Sequence, residues 1–359
     1  MVARVPARNL SRFPRGAALA LALMVVSLSF AGCPCISGAV NASPGLRWFL
    51  FSNFGASKIC PEMLKSGVSL RLQERSPAIG RFFPMECKFE VNDSAQTVTV
   101  HLSGTGYGYM MPAKRVGFKL TASVEYRPDF QLAGDDIYVW GRLNRIVQGP
   151  NLQIGYLENP LVDVMANIPP FGGIANFLGN QVVAGGLSQG FTVLYNEDTG
   201  KDFTLGILFP PSRPHHPFDV TDADSERYTF ANEVIEVNAN QRDYLGPFEV
   251  TEAGQALYMR MSVEGGPVDV MIVDKATGDV WRDAYQTGKP LGPPAGPVQA
   301  GGPLQPGQVE NRKFQLRPGL YYVVIDNTAA AGLVSPASSF LNPLGTPPVR
   351  LSYLAQLGD

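Results

Sequence analysis

The stretch Arg115–Tyr126, RVGFKLTASVEY, decides the fold class of the N-terminal half of the chain. Its apolar and polar residues alternate without a break. Val116, Phe118, Leu120, Ala122, Val124 and Tyr126 alternate with Arg115, Gly117, Lys119, Thr121, Ser123 and Glu125. Because successive side chains of a strand point to opposite faces, the pattern predicts a long strand with one buried and one solvated face.

Further strand patterns lie on both sides of this stretch. The sequence KFEVNDSAQTVTVHLSG predicts a hairpin that turns at Asn92–Asp93, and DDIYVWGRLNRI continues the sheet. FTVLYNEDTGKDFTLGILF predicts a second hairpin with Gly200 in its turn. SKICPEMLKSG predicts a helix that Ser57 caps, with Pro61 in its first turn. Residues 47–210 are therefore expected to form an α+β domain with a long antiparallel sheet.

An apolar, glycine-rich segment separates these strands. Five of its residues fall at helical spacing and predict an apolar helix: Phe171, Ile174, Leu178, Val182 and Leu187. This order of elements resembles the tubular lipid-binding superfamily, which includes envelope lipoproteins. The resemblance implies that the five side chains line a site for an apolar ligand such as a lipid. In the alternative interpretation they only form core.

Ser188 lies in Gly186–Gly190, GLSQG, which matches the G-x-S-x-G pattern of a hydrolase nucleophile. A nucleophile elbow needs a strand before the serine and a helix after it, and here the predicted order is the reverse. Candidate histidines downstream, His215 and His216, lie in a proline-rich stretch. We therefore predict that no residue of the chain is catalytic, and that Gly185, Gly186 or Gly190 adopts a positive φ and ends the helix.

The C-terminal part is predicted to be an all-β sandwich over residues 227–359, after a proline-rich linker at 211–226. Within it, Lys275–Gly278 reads as a turn between strands. LRPGLYYVVIDNT resembles the signature of bacterial pre-peptidase C-terminal and related jelly-roll modules. The resemblance implies an accessory module that binds sugar or protein without chemistry of its own. Four aromatic residues are candidates for stacking on a sugar, with core positions as the alternative: Tyr258, Trp281, Tyr321 and Tyr322.

Acidic residues suggest one weak metal site and no catalytic pair. Asp222, Asp224 and Glu226 alternate in TDADSE and could hold calcium, although the spacing of an EF-hand loop is absent. Asp135 and Asp136 are neighbours on a strand and point to opposite faces, so they cannot converge on one substrate. Neither of them is expected to form a catalytic pair with Glu125 on its solvated face. No cofactor is predicted.

The first 32 residues have the parts of a secretory signal: four arginines without an acid, then a short apolar run. The run ends in Phe30–Cys33, FAGC, which resembles the lipobox of bacterial lipoproteins. The resemblance implies cleavage before Cys33 and acylation of its sulfur and its new amine. Residues 33–46 are then expected to be a short tether. Pro34 after the lipidated cysteine favours the outer membrane.

The net charge and the cysteines give two further expectations, one about nucleic-acid binding and one about a disulfide. The signal carries 4 of the 29 basic residues and none of the 31 acidic ones, so the processed chain has a net charge of −6. This balance argues against nucleic-acid binding, which needs a basic surface. Outside the cytosol, Cys60 and Cys87 are predicted to form a disulfide, which leaves Cys35 unassigned.

Together these features predict a lipid-anchored protein of the bacterial cell envelope, which faces the periplasm or the exterior. We expect it to bind an apolar ligand or to act as a scaffold for an envelope component, without enzymatic activity. One alternative is adhesion to carbohydrate or protein through the C-terminal sandwich. The other, a serine hydrolase that uses Ser188, is disfavoured by the order of the predicted elements.

Overall fold

A computed structural model describes ten stretches of the chain: residues 34–65, 67–71, 76–111, 113–159, 189–196, 200–205, 207–212, 216–220, 227–336 and 347–359. The described residues are mostly β-strand, in two sheets. None of the described helices is long and apolar enough to cross a bilayer. Strand-rich folding was predicted for both parts of the chain, and this coarse prediction is confirmed.

The described part of the chain starts with helices at Pro34 and continues with long strands. The helical elements are α1 (Pro34–Ala42), α2 (Pro44–Leu50), a π-helical turn (Phe51–Gly55), a 3-10 turn (Ala56–Lys58) and α3 (Ile59–Met63). The strands are β1 (Val68–Arg71), β2 (Ala78–Asn92), β3 (Thr97–Met110), β4 (Lys114–Ala133), β5 (Asp136–Leu157), β6 (Phe191–Asn196) and β7 (Gly200–Leu205). The expected tether at 33–46 is wrong for its described residues, because α1 and the start of α2 occupy 34–46.

The described residues of the second half contribute eight strands and one helix. They are β8 (Tyr228–Val237), β9 (Gln241–Val250), β10 (Ala256–Glu264), β11 (Val268–Asp274), α4 (Lys275–Gln286), β12 (Ala300–Leu304), β13 (Val309–Gln315), β14 (Gly319–Asn327) and β15 (Val349–Gly358). The predicted turn at Lys275–Gly278 is wrong. Asp274 accepts a hydrogen bond from the Thr277 amide at 2.8 Å and thereby caps a helix of 12 residues.

The larger sheet joins strands of both halves in the order β1-β2-β3-β4-β5-β6-β7-β8-β15-β10-β13. Strand β8 also touches β2, where Ala78 lies opposite Ile235, so the sheet bends back on itself. The smaller sheet has the order β12-β11-β14-β9. Strand β15 follows all the others in the sequence, yet it lies between β8 and β10.

The two sheets pack face to face around the main apolar core in a sandwich-like arrangement. This core draws on β8, β10, β13 and β15 of the larger sheet and on all four strands of the smaller sheet. The other face of the smaller sheet is also covered, by α4 and by Phe83 and Tyr107 from β2 and β3. Burial of both faces explains why β11 and β14 read as continuous apolar runs, as buried strands do.

Strand β4 has the buried face that its sequence predicts, but its opposite face is only partly solvated. Lys119 is exposed, whereas Arg115, Gly117, Ser123 and Glu125 are buried. Helix α4 covers the first part of this face, because a Cβ atom on Gly117 would collide with the carbonyl of its last residue, Gln286. The expectation of one fully wet face is therefore wrong where another element packs on the sheet.

Candidate functional site

Several residues singled out from the sequence lie outside the described residues. They are Cys33, Phe171, Ile174, Leu178, Val182, Leu187, Ser188, His215, Asp222, Asp224 and Glu226. Gly190, which follows this apolar segment, is described and has φ of 73° at the start of β6. Within the described ranges, no three His, Cys, Asp or Glu side chains lie close enough together to hold a metal ion.

The predicted disulfide between Cys60 and Cys87 is confirmed, with a Cα–Cα distance of 5.3 Å. It links α3 to β2. The turns before α3 pack with Phe51 and Ala56 against Val98, Val124 and neighbouring apolar residues of the long sheet. The disulfide thus fastens the N-terminal helices to one end of the sheet.

Two polar contacts attach α1 and α2 to the end of β4. The Asn41 side-chain amide donates to the Leu132 carbonyl at 2.7 Å, and its oxygen accepts from the Leu132 amide at 2.9 Å. Arg47 forms a two-point ion pair with Asp129, with N–O distances of 2.6 and 3.2 Å. Bidentate contacts of this kind fix orientation as well as position. The chain is therefore held to the sheet from its first described residues.

The outer surface of this helical segment, Pro34–Ser57, carries little charge. Arg47 is its only charged residue, and Asp129 already pairs with it. Among its described side chains, the exposed positions are Gly38, Ala39, Ala42, Pro44, Gly45, Phe49, Asn53, Phe54 and Ser57. Phe49 and Phe54 are 45% and 51% exposed. This surface therefore combines two exposed aromatic rings with small uncharged residues.

A largely buried polar cluster, here called the polar joint, lies near the first residues of β4, at the end away from α1. It is formed by Ser69, Arg81, Tyr107, Glu233 and Asp243. Arg81 donates two hydrogen bonds to Asp243, at 3.1 and 2.8 Å, and one to Ser69 at 3.0 Å. Tyr107 donates to the same carboxylate at 2.5 Å. The Arg81 side chain is 2% exposed and lies 3.9 Å from Glu233. The polar joint connects β1, β2 and β3 to β8 and β9.

Ionisation of the polar joint follows from its contacts. Burial alone would raise the pKa of Asp243, but the charge of Arg81 and hydrogen bonds from Arg81, Tyr107 and the Tyr244 amide hold that pKa below its usual value. Burial raises the pKa of Tyr107 well above its usual value, and the Asp243 carboxylate adds to this rise. At neutral pH the pair is an arginine cation and a carboxylate, with a neutral tyrosine as a further donor.

A second buried pair lies nearby, between Arg242 and Asp326. Arg242 donates to Asp326 and, at 3.1 Å, to Thr328, and its guanidinium lies 4.6 Å from the centre of the Trp281 ring. Burial raises the pKa of Asp326 to about 6, against the opposing charge of Arg242. Both pairs are almost completely buried, and the pocket that Tyr107, Arg242 and Asp243 line holds only about 10 Å³. Loss of one partner from such a pair is strongly destabilising, so both pairs are suited to holding the fold together.

The four aromatic residues that are candidates for stacking on a sugar make other contacts in the structure. Trp281, Tyr321 and Tyr322 are buried, so the prediction that they stack on a sugar is wrong for these three. Trp281 and Tyr322 pack in the cluster around α4, and Tyr321 packs between the two sheets. The Tyr258 ring has the cations of Arg227 and Lys313 at 3.8 and 4.9 Å from its centre.

An open apolar groove of about 340 Å³ lies beside β11 and β12. Its lining includes Met271, Pro293, Pro294, Val298 and Leu333. Leu333 is 84% exposed at the rim of this groove. The buried Asp269 carboxylate accepts hydrogen bonds from the amides of Leu333 and Val334, at 2.8 and 2.7 Å, and so holds the rim in place.

Sequence reasoning missed the polar joint, and one signal could have indicated it. Arg81 interrupts the apolar run AIGRFFP, and a lone cation inside a buried strand needs an anionic partner. No protein-family model matches this sequence, and no curated protein matches it significantly. The case for a function therefore depends on the chain itself.

Proposed function

We propose that this protein is a lipid-anchored scaffold of the bacterial cell envelope, attached through Cys33, with no enzymatic activity. The observation that supports the proposal best is the position of α1, which begins one residue after Cys33 and is hydrogen-bonded through Asn41 to the end of β4. An acyl group on Cys33 would leave almost no free chain between the membrane and the folded body.

In this proposal, the long strands β2 to β5 of the larger sheet act as a rigid spacer between the membrane and the sandwich. Leu132, which contacts α1, and Gly117, which contacts α4, are 15 positions apart on β4. At about 3.3 Å per residue, this part of the strand is up to about 50 Å long. The polar joint, near the Gly117 end, fastens the sandwich to the sheet. A lipid at Cys33 would thus support the sandwich at a fixed distance from the bilayer.

Metabolic labelling tests the anchor. Cells that express the wild type or a Cys33→Ala variant are fed an alkyne analogue of palmitate, and the purified proteins are compared. We expect label on the wild type alone. Cys35 is the matched control, since a Cys35→Ala variant should keep the label. Equal labelling of the wild type and the Cys33→Ala variant would refute the proposal.

Binding of an apolar ligand is the other part of the expected function, and it rests on residues 160–188, outside the described residues. Native mass spectrometry of the Cys33→Ala protein tests it directly. A bound lipid should add a discrete mass that disappears after extraction with organic solvent. If the purified protein carries no such mass, ligand binding is refuted and only the scaffold function remains proposed.

A second candidate function is protein binding through the sandwich, and the groove beside β11 favours it over sugar binding. Its lining of Met271, Pro293, Pro294 and Leu333 suits an apolar protein segment, whereas three of the four aromatic candidates for sugar stacking are buried. A glycan array on the full processed chain, run with the wild type and a Leu333→Asp variant, separates the two. Glycan binding that the Leu333→Asp change leaves intact would contradict this preference.

A further inference from the structure

We infer that the outer surface of the helical segment Pro34–Ser57 lies in the bilayer interface, with Phe49 and Phe54 inserted among the lipids. The inference rests on the proposed anchor at Cys33 and adds a second, non-covalent contact to it. Its effect is to fix how the protein stands on the membrane.

Both rings lie on the exposed outer surface of the segment. The Asn53 side chain donates to the Phe49 carbonyl at 2.8 Å, so Asn53 lies one turn beyond Phe49. Phe54 follows in the π-helical turn, where the Ala56 amide bonds to the Phe51 carbonyl. Phe49 and Phe54 are 45% and 51% exposed, while Phe51, between them, packs into the core.

The chemistry of the surrounding surface fits lipid rather than water. Its exposed neighbours are glycine, alanine, proline, serine and asparagine, and its single cation is paired with Asp129. The described exposed residues of the segment are all uncharged, so little charge has to be desolvated when this surface enters the headgroup region, and the aromatic rings gain from leaving water. One carboxylate borders the surface, that of Asp93, which accepts a hydrogen bond from Trp48 at 3.2 Å. Charged groups would oppose such a transfer by several kcal/mol each.

The place of the segment in the chain identifies the bilayer as its occupant. Cys33 directly precedes Pro34, so acyl chains on its sulfur and amine would enter the membrane beside α1. The contacts of Asn41 and Arg47 with β4, together with the disulfide, hold the segment rigidly to the sheet. Acyl chains and rings on one rigid body would give at least two points of attachment, which restrict its tilt. The acyl chains provide the affinity, and the rings provide the orientation.

Vesicle binding by the non-lipidated protein tests the contact by itself. The full processed chain with Cys33→Ala is sedimented with phosphatidylcholine vesicles, and a Phe49→Ser/Phe54→Ser variant is compared. About half of each ring is exposed, so its transfer is worth about tenfold in the partition coefficient, and the pair about a hundredfold. The matched control is Val280→Ser/Val309→Ser, which removes two exposed apolar side chains, 61% and 53% exposed, from the other half of the molecule.

Salt provides an independent criterion. Because the described exposed residues of the segment are uncharged and Asp93 at its border is an anion, phosphatidylglycerol in the vesicles should not raise the partition coefficient, and high ionic strength should not lower it. Binding that salt abolishes, or that the control variant weakens as much as the phenylalanine variant does, would overturn the inference.

Fluorescence quenching in the lipidated protein tests the membrane contact of the rings separately from the lipid anchor at Cys33. In vesicles with brominated acyl chains, a Phe54→Trp variant should show additional quenching, whereas a Val309→Trp variant should show none. If Cys33 is labelled by the palmitate analogue but Phe54→Trp is not quenched, the membrane contact is refuted and the anchor stands. If Cys33 is not labelled but vesicle binding still requires the rings, the anchor is refuted and the contact stands.

Discussion

Replacing Arg81 with methionine removes the cation of the polar joint while it preserves most of the side-chain length. Arg81 makes two hydrogen bonds to Asp243 and one to Ser69, and Asp243 is only 6% exposed. The variant leaves a buried carboxylate without its counter-charge. Loss of one partner of a buried pair costs about 3–5 kcal/mol, and we expect the free energy of unfolding to fall by that amount.

The assay is urea denaturation followed by circular dichroism, with Asp243→Leu and the double variant Arg81→Met/Asp243→Leu measured alongside. Removing both charges of the Arg81–Asp243 pair leaves neither partner as an unpaired buried ion, so the double variant should be more stable than Arg81→Met. A cost of about 1–2 kcal/mol should remain, because the Tyr107 hydroxyl loses its acceptor and keeps only the bond from the Tyr244 amide. A single variant that loses less than about 1 kcal/mol, or a double variant whose loss equals the sum of the two, would refute the reasoning.

Three further predictions concern the disulfide, α4 and pH. Removing the disulfide with Cys60→Ser/Cys87→Ser should cost about 3–4 kcal/mol, as expected for a crosslink that spans 27 residues, and reduction of the wild type should give the same loss in denaturation experiments. Gly117→Val should push α4 away from β4 at a cost of about 1–3 kcal/mol, detectable as a lower Tm, and an unchanged Tm would contradict the close packing on Gln286. Because the folded pKa of Asp243 lies below its unfolded value, its stabilising contribution is present above about pH 4 and is lost as the pH falls further; this part of the acid dependence should be absent in Asp243→Asn.

The long strands and the disulfide could be predicted because the residues that form them indicate them without knowledge of what packs around them. Alternation in Arg115–Tyr126 specifies a strand regardless of what packs on it, and the pairing of Cys60 with Cys87 needs only an oxidising compartment. The solvated face of β4 was predicted less well. Its burial depends on α4, whose last residue lies 169 positions further along the chain than Gly117.

Helix α4 could not be predicted, and for the polar joint the sequence indicates only that Arg81 needs an anionic partner, not which residue provides it. Lys275–Gly278 contains a glycine and few apolar residues, so it reads as a turn; its helical form depends on the Asp274 cap and on packing of Gly278 against Tyr322. The polar joint pairs residues 162 positions apart in the sequence, Arg81 and Asp243, and no periodicity connects them. Long-range electrostatic pairing is visible only once the strands are in place.

The central position of β15 has a consequence for how the molecule is made. Residues 349–358 separate β8 from β10, so the larger sheet stays divided until β15, the last described strand in the sequence, is in place. Until then the side chains of Ile235 and Met261, which are fully buried in the finished fold, lack part of their cover. Because these pairings join residues far apart in the sequence, closure of the larger sheet is an intrinsically slow step of folding.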